Sequence, residues 1–456
     1  MGAEKEGLKT KLKKALPEKT LKKILPPFHY SQAVLANMRA GRPAKGMRVI
    51  GVTGTNGKTT TVTFIANILR EAGYKVAVYS TTHYQIGDKY EANQTTTTMA
   101  SVYHIQDFYR RARNAKVDVI VQEVTSQALE QHRVLGIDFE VAVMTNLSYE
   151  HQDYHGGMKA YANAKAMLFR NKPRYIVLNT DDEWFNYFNE FEASERKLSY
   201  GLVAESDADI VKVKHTIRGS SFVLEVDGKN LKLKSHLLGA YNVHNIAAAA
   251  GAAYLFGVDI SAIEKGVASL DRVDGRLEYI DEGQNFAVFT DYAHTPDGLQ
   301  QVLQSLKEVT KGRLLLVQSA MDGRDPAKRV MLGEMAGLMC DEIFVTDEEA
   351  FELPTEVMRR DIIRGTENVR TKALVHEIPD RQEAINAAVA AAKKDDTVLI
   401  IPFGHQTSMT FYGETMHWDE REAAQKALKL RQGKIKSTGK SSSKISEKNA
   451  PKQKSE

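Results

Sequence analysis

The stretch Met47-Arg-Val-Ile-Gly-Val-Thr-Gly-Thr-Asn-Gly-Lys-Thr-Thr-Thr61 decides the fold. Val49, Ile50 and Val52 are apolar and β-branched, which predicts a buried strand. Gly51, Gly54 and Gly57 then let the backbone turn tightly and come close to a ligand. From Thr59 the apolar positions Val62, Ile65, Ala66, Ile68 and Leu69 fall at helical spacing. Strand, Gly-rich loop, Lys-Thr and helix together make a phosphate cradle. The loop amides and the helix N-terminus face the anion, Lys58 adds a point charge, and the Thr59 hydroxyl can ligate Mg²⁺. The spacing departs from the strict motif, which wants a glycine five residues before Gly57. Val52 stands there, and the glycine is one residue earlier. The bland alternative is an ordinary Gly-rich turn between strand and helix. By itself the loop indicates a nucleoside triphosphate and does not separate a ligase from an ATPase, GTPase or kinase.

At 456 residues the chain can bury a large core and should hold two or three domains. With 42% apolar and 26% charged residues it has the composition of a soluble globular protein. The net charge of +4 is small, and much of the basic excess lies at the two ends, so nucleic acid is not an expected partner. Cys340 is the only cysteine, which excludes an internal disulfide framework and metal sites built on several thiolates. No apolar run reaches about 18 residues and no signal peptide opens the chain, so a soluble, cytoplasmic protein is expected.

Residues 1–46 are unlike the rest: Lys5–Lys23 is Lys-rich, with Leu8, Leu12 and Leu16 at helical spacing, followed by Leu21 and Ile24. Pro17 is expected to split this segment into two short helices, and Pro26 and Pro27 to stop the second. A basic amphipathic helix could touch an acidic membrane surface; a helix docked on its own protein is the plainer reading.

From Met47 the chain alternates strand and helix. Val76–Tyr79, Val117–Val121, Val141–Met144 and Tyr175–Leu178 read as buried strands, which predicts a parallel sheet covered on both faces. Ligands of such sheets gather at the carboxyl ends of the strands. Glu123 follows the third strand, where a carboxylate can hold Mg²⁺ or cap a helix. Thr145 to His155 follows the fourth and carries His151, His155, Glu150 and Asp153, which could be a solvated loop but after a buried strand reads better as a metal or phosphate cluster. Lys165 stands among small and apolar residues of a helix and, by pattern alone, reads as a lysine that snorkels to solvent. Between Asp207 and Leu238 a β-hairpin annex turns at Asp227-Gly228. An alanine-dense helix follows from Val243 to Phe256, with Asn242 and Asn245 at its start. A second α/β block begins near Val273, with strands at Phe286–Phe289, Leu314–Val317, Ile343–Val345 and Val398–Ile401. Its helices are expected near Leu299–Val309, Arg329–Cys340, Arg381–Ala392 and Asp419–Leu430. Past Gln432 the Lys- and Ser-rich tail reads as disordered.

Taken in order, Gly54-Thr-Asn-Gly-Lys-Thr-Thr60, Glu123-Val-Thr-Ser, Thr145-Asn-Leu-Ser, His151-Gln-Asp-Tyr-His-Gly156, Tyr161-Ala-Asn-Ala-Lys165, Asn242-Val-His-Asn245, Asp274-Gly-Arg276-Leu-Glu278 and Asp291-Tyr-Ala-His-Thr-Pro-Asp297 form one set. The set resembles the Mur ligase family over about residues 47–431. It looks closest to the MurE branch, which adds the third residue of the peptidoglycan stem peptide. The resemblance implies an α/β protein with a central P-loop parallel-sheet ATPase domain (47–272) and a smaller Rossmann-like domain (273–432). A vestigial basic helical segment (1–46) would precede them and a tail (433–456) would follow. It implies an ATP-dependent acid–amino-acid ligase that forms an acyl phosphate from a muramoyl peptide and then transfers the acyl group to an amino acid. ATP would be held by Gly54, Thr55, Asn56, Gly57, Lys58, Thr59 and Thr60, by Asn242 and Asn245 near adenine, and by Arg276, Asp291 and His294. Lys58, Glu123, His151 and Lys165 match the catalytic positions, and Mg²⁺ would rest on Thr59, Glu123, His151 and a carbamylated Lys165. Thr96, Thr97, Thr125, Gln131 and Arg133 match contacts to the sugar–peptide.

The departures are specific. Family members carry a uridine-binding N-terminal domain of ordinary domain size, and here about 46 residues precede the first strand. The family's Asp-Asn-Pro-Arg, which recognises diaminopimelate, falls on Asp347-Glu348-Glu349-Ala350, so the arginine clamp for a carboxylate is missing. The Gly-Lys-Gly-His-Glu motif reads Pro402-Phe-Gly-His-Gln406. The amine is therefore open, and diaminopimelate is disfavoured. Alternatives are an amide ligase acting on a lipid-linked wall precursor or a folylpolyglutamate-like acceptor, and a non-catalytic ATP-binding partner protein.

Overall fold

A computed structural model describes residues 18–93, 98–148, 152–322 and 326–433. It divides the chain into two units. The first comprises 1–211, 224–231 and 244–267, and the second 212–223, 232–243 and 268–456.

The Met47–Thr61 stretch folds as its residue types require. β1 (Arg48–Thr53) is buried from Val49 onward. It lies between β5 (Val119–Glu123) and β6 (Val141–Met144), parallel to both. β2 (Val76–Tyr79) extends the parallel run on the β5 side, and β7 (Tyr175–Asn179) and β8 (Arg196–Gly201) extend it on the β6 side. β3 (His83–Ile86) and β4 (Lys89–Ala92) close one edge as an antiparallel hairpin. β9 (Ala208–Thr216), β10 (Gly219–Val226) and β11 (Lys229–Ser235) complete the other end of an 11-stranded sheet. The expected two-stranded annex is thus a three-stranded one. The segment before the hairpin also alternates buried and exposed residues and takes an extended form.

Gly51 does not serve the loop. It lies inside β1, and a Cβ there would stand 2.5 Å from the Phe139 ring and 3.2 Å from Leu168, so close packing on the sheet face explains it. Both faces of the parallel run are buried. On the face shared by Val49 and Gly51, Ile105, Phe108 and Tyr109 of the helix Val102–Asn114 pack with Tyr79 and Ile120, and Tyr161, Phe169 and Phe188 pack with Met144 and Leu178; Val52, Val121, Val143 and Val177 are buried on the opposite face. Each such aromatic or aliphatic side chain contributes about 1.5–3 kcal/mol when fully buried.

The N-terminal helix α1 (Glu18–Arg39) corrects the sequence expectation at Pro26 and Pro27, which lie inside it and do not end it. Its anchoring contacts follow the prolines: Ala33 and Ala36 pack on Val102, and Tyr30 meets the His132 ring edge-on at 5.3 Å. That packing holds the downstream half helical against the local rule, and the helix docks on its own protein.

The second unit has a six-stranded sheet. Its strands are β12 (Glu278–Tyr279), β13 (Ala287–Thr290), β14 (Leu314–Gln318), β15 (Glu342–Val345), β16 (Leu374–Glu377) and β17 (Thr397–Ile400), in the order β12-β13-β17-β14-β15-β16. Every pairing but β12–β13 is parallel. Helices Pro296–Val309, Pro326–Met339, Arg381–Ala391 and Glu420–Arg431 match the four expected ones; Thr355–Asn368 adds a fifth. A small hairpin, β18 (Ser408–Phe411) and β19 (Glu414–His417), stands apart as a two-stranded sheet. Among the described residues no helix is long and apolar enough to cross a membrane.

Candidate functional site

The loop after β1 is gripped by the segment after β6. Thr55 N donates to Asn146 O at 2.8 Å, Asn56 N to Asn146 Oδ1 at 2.9 Å, and Thr145 Oγ1 to Asn56 O at 2.7 Å. A Cβ on Gly54 would fall 1.9 Å from Thr145 Oγ1. Gly57, at φ 83°, caps the helix α2 (Lys58–Glu71), and a Cβ there would fall 2.1 Å from Asn245 Oδ1. The two glycines are fixed by these approaches, and the helix N-terminus is left pointing at the loop. Lys58 Nζ folds back onto the carbonyls of Gly54 at 2.9 Å and Thr55 at 2.8 Å. Thr59 and Thr60 are buried in the first turn of α2.

Glu123 sits opposite Val52 in the β1–β5 register, one strand over from the loop. It is fully buried, and its two oxygens accept from the amide and the hydroxyl of Thr81, each at 2.8 Å. Thr81 carries no motif and was not legible in the sequence. Lys165, read from pattern as a snorkelling lysine, is instead 1% exposed. Its Nζ donates to Gly54 O at 2.7 Å and lies 4.5 Å from the centre of the Tyr161 ring. Helix Met158–Ala166 points it inward because its small neighbours Ala162, Ala164 and Ala166 are all buried. A hydroxyl at Thr59 and a buried carboxylate at Glu123 are hard oxygen donors that suit Mg²⁺. His151, Thr96 and Thr97 lie outside the described residues.

Beside Glu123, Thr125 caps the short helix α3 (Ser126–Glu130) by accepting from Ala128 N at 3.2 Å. Gln131 Nε2 donates to Tyr154 OH at 3.0 Å, and its Oε1 accepts from Arg133 at 2.8 Å. Arg133 also reaches the carbonyls of Met99 and Ala100. Of the expected substrate positions, Gln131 and Arg133 are thus hydrogen-bonded to each other, while Thr125 caps the helix before them. Asn245 lies against the loop through Gly57, while its neighbour His244 donates to Asp181 at 2.8 Å. Burial alone would raise the Asp181 carboxyl, but His244 and the amides of Leu202, Ala204 and Val203 hold it well below the usual carboxylate range.

In the second unit Asn242 is buried and donates to Leu238 O at 2.9 Å. Asp291, at the carboxyl end of β13, accepts from Leu277 N at 2.6 Å and Ala293 N at 2.7 Å; burial raises its carboxyl, opposed by the charge of Arg276. Arg276 lies 5.1 Å above the Tyr292 ring, and His294 Nδ1 is 2.8 Å from Tyr292 O. Asp347 is paired with Arg359, and Ala350 is fully buried, bridged to Phe411 of β18. Asp322, absent from the sequence reading, holds the loop beyond Ala350: its Oδ2 accepts from the amides of Phe351, Glu352 and Leu353 at 2.7, 2.6 and 2.9 Å.

The profile of the Mur ligase middle domain matches residues 52–253, and that of the Mur ligase glutamate ligase domain matches 275–404. A UDP-N-acetylmuramoyl-L-alanyl-D-glutamate–2,6-diaminopimelate ligase of Geobacillus kaustophilus is 36% identical over 410 residues, 88% of this chain and 83% of that protein. The chain belongs to the Mur ligase family. A ligase of the same name from Syntrophomonas wolfei is 38% identical over 416 residues, 90% of this chain and 83% of that protein. A solved structure with that name superposes with a TM-score of 0.65 at 30% identity, covering 90% of this chain and 83% of that one.

Proposed function

We propose that this Mur ligase uses ATP to add the third residue to a UDP-N-acetylmuramoyl-dipeptide in peptidoglycan precursor synthesis, and that its amine is an amino acid other than diaminopimelate. The observation that carries the first half is the site at the carboxyl ends of β1, β5 and β6. Lys58, Thr59 and the buried Lys165 border one glycine loop, and the buried carboxylate Glu123 stands at the end of the neighbouring strand.

The acceptor carboxylate would attack the terminal phosphoryl group of ATP, giving an acyl phosphate that the amine then opens with loss of phosphate. Attack of one anion on another needs neutralised charge. The loop amides supply fixed dipoles. Lys58 would exchange its contacts with Gly54 O and Thr55 O for phosphate oxygens. Mg²⁺, held by Thr59 and Glu123, would supply further positive charge at the phosphates. Thr81 keeps the Glu123 carboxylate oriented. Lys165, as a carbamate, would turn a cation beside Gly54 into an anionic oxygen donor. Thr125, Gln131, Arg133 and Tyr154 give a polar face for the sugar–peptide. ATP and small-molecule substrates fit a cytoplasmic location.

The second half rests on Ala350. A carboxylate-bearing amine end is best held by a bidentate arginine. Here that position is occupied by a core methyl group, and Asp347 is already paired with Arg359.

The test is phosphate release from ATP and Mg²⁺ with UDP-N-acetylmuramoyl-dipeptide and a panel of amino acids. Release that needs the dipeptide together with one amino acid is the expected outcome. Silence with every amino acid would sink the acceptor assignment. A best response to diaminopimelate would sink the amine assignment.

A further inference from the structure

His155 has no assigned role, yet its side chain is fully buried at the junction of three parts of the site. Its Nε2 lies 2.9 Å from Ser126 Oγ. Its Nδ1 lies 3.4 Å from the carboxylate of Glu130 at the far end of α3. The Nε2 contact is a hydrogen bond whose direction follows the ring tautomer, whereas the Nδ1 contact is a charge-distance approach without hydrogen-bond geometry. Ser126 directly follows the Thr125 cap and is itself 2% exposed. One imidazole thus lies along α3, hydrogen-bonded to its first residue and close to the carboxylate of its last.

The ring makes two further contacts. It stacks at a tilt on Tyr161, centroids 5.0 Å apart, and Tyr161 OH lies 3.3 Å from Thr55 Oγ1 in the phosphate loop. It meets the Tyr154 ring edge-on at 4.8 Å, and Tyr154 OH accepts from Gln131. Tyr154 thus touches His155 directly, Gln131 is one hydrogen bond further on, and Thr125 directly precedes Ser126.

We infer that His155 is a positioning residue for the acceptor, holding Thr125, Gln131 and Tyr154 in register with the phosphate loop; this rests on the acceptor assignment made above. A bare packing role would need only the ring. A positioning role needs the Nε2 hydrogen bond as well, because the buried Ser126 hydroxyl has to be oriented and a lost partner leaves it unsatisfied.

The two roles separate in a variant series. His155→Phe keeps a ring and removes both nitrogens. His155→Gln places an amide oxygen where Nε2 stands. His155→Asn cannot reach Ser126. The expected result is a KM for the muramoyl dipeptide raised about tenfold in H155F and H155N, the scale of one buried hydrogen bond lost. The KM for ATP should stay within about twofold, and H155Q should recover most of the loss. Amide hydrogen exchange of the full-length protein gives an independent arm. Exchange at Ala128, whose N–H the Thr125 cap holds, should quicken in H155F and return toward wild type in H155Q. Equal KM values for the dipeptide across the series, or H155F behaving as wild type while H155N and H155Q both fail, would overturn the inference. If the wild type never uses the dipeptide, the acceptor assignment fails, and unchanged exchange at Ala128 in H155F would then remove the positioning role as well.

Discussion

Lys165 Nζ donates to the carbonyl oxygen of Gly54 at 2.7 Å, across 111 residues of sequence. The bond ties the helix Met158–Ala166 to the glycine loop after β1 and keeps the amine out of solvent. A snorkelling lysine would contribute neither.

Lys165→Ala should therefore abolish turnover far more than it harms folding. We expect kcat to fall about 100-fold or more, the scale of removing one preorganised electrostatic group. Nucleotide binding, measured by calorimetry, should persist, because the loop amides and Lys58 remain. Turnover within a few-fold of wild type would remove Lys165 from the chemistry.

Ala350→Arg is the direct attempt to restore the missing clamp. Ala350 is fully buried in the cluster that includes Phe403, Phe411 and Trp418. A guanidinium forced there should cost several kcal/mol in urea unfolding. It should give no gain in diaminopimelate use; a stable variant that prefers diaminopimelate would show that the position faces the substrate.

In the second unit a fully buried ion pair joins the helices Arg381–Ala391 and Glu420–Arg431. Arg381, 1% exposed, meets Glu420, 0% exposed, and also donates to Ser319 Oγ at 2.8 Å and Ile401 O at 2.6 Å. Arg381→Met or Glu420→Gln alone should destabilise by about 3–5 kcal/mol, because each leaves a buried charge unpaired. The double variant should cost less than the sum of the two in a double-mutant cycle of chemical unfolding.

Arg196 and Asp227 form a two-pronged pair at 2.9 and 2.8 Å. The hydrogen bonds from Arg196 bring the Asp227 carboxyl from 3.8 down to about 2. A depressed carboxyl stabilises the fold above its unfolded value and loses that contribution as pH falls through its folded value. The window is thus about pH 4 to 2. The pair is largely exposed, so solvent screening limits it to about 1 kcal/mol. Asp227→Asn should flatten acid unfolding by that amount in the window and change nothing at pH 7 beyond the same loss. An unchanged acid transition would show the pair to be idle.

The loop Phe351–Leu353 gives a fifth test. Asp322→Ala removes the acceptor of three adjacent amides, and about 1–3 kcal/mol of stability should go with it. Hydrogen exchange at Phe351, Glu352 and Leu353 should quicken selectively.

The sequence by itself determined the α/β alternation, β1 with its glycine loop, the place of Glu123 at a strand end, and the family. These are carried by local chemistry: β-branched runs, helical spacing, and glycines that no side chain can replace. Local rules also erred where packing outweighed them. Pro26 and Pro27 were read as a stop, but the anchoring of Ala33 and Ala36 on Val102 lies downstream and keeps the helix going. Gly51 was read with the loop, but the Phe139 ring, far along the chain, is what excludes a Cβ. Only the tertiary structure decided that Lys165 is buried, that Thr81 holds Glu123, that Asp322 caps its loop and that His155 joins α3 to the phosphate loop. Each of these is a contact between segments distant in sequence. Hydrogen-bond geometry between such segments leaves no periodicity in the chain, so residue order alone does not carry it.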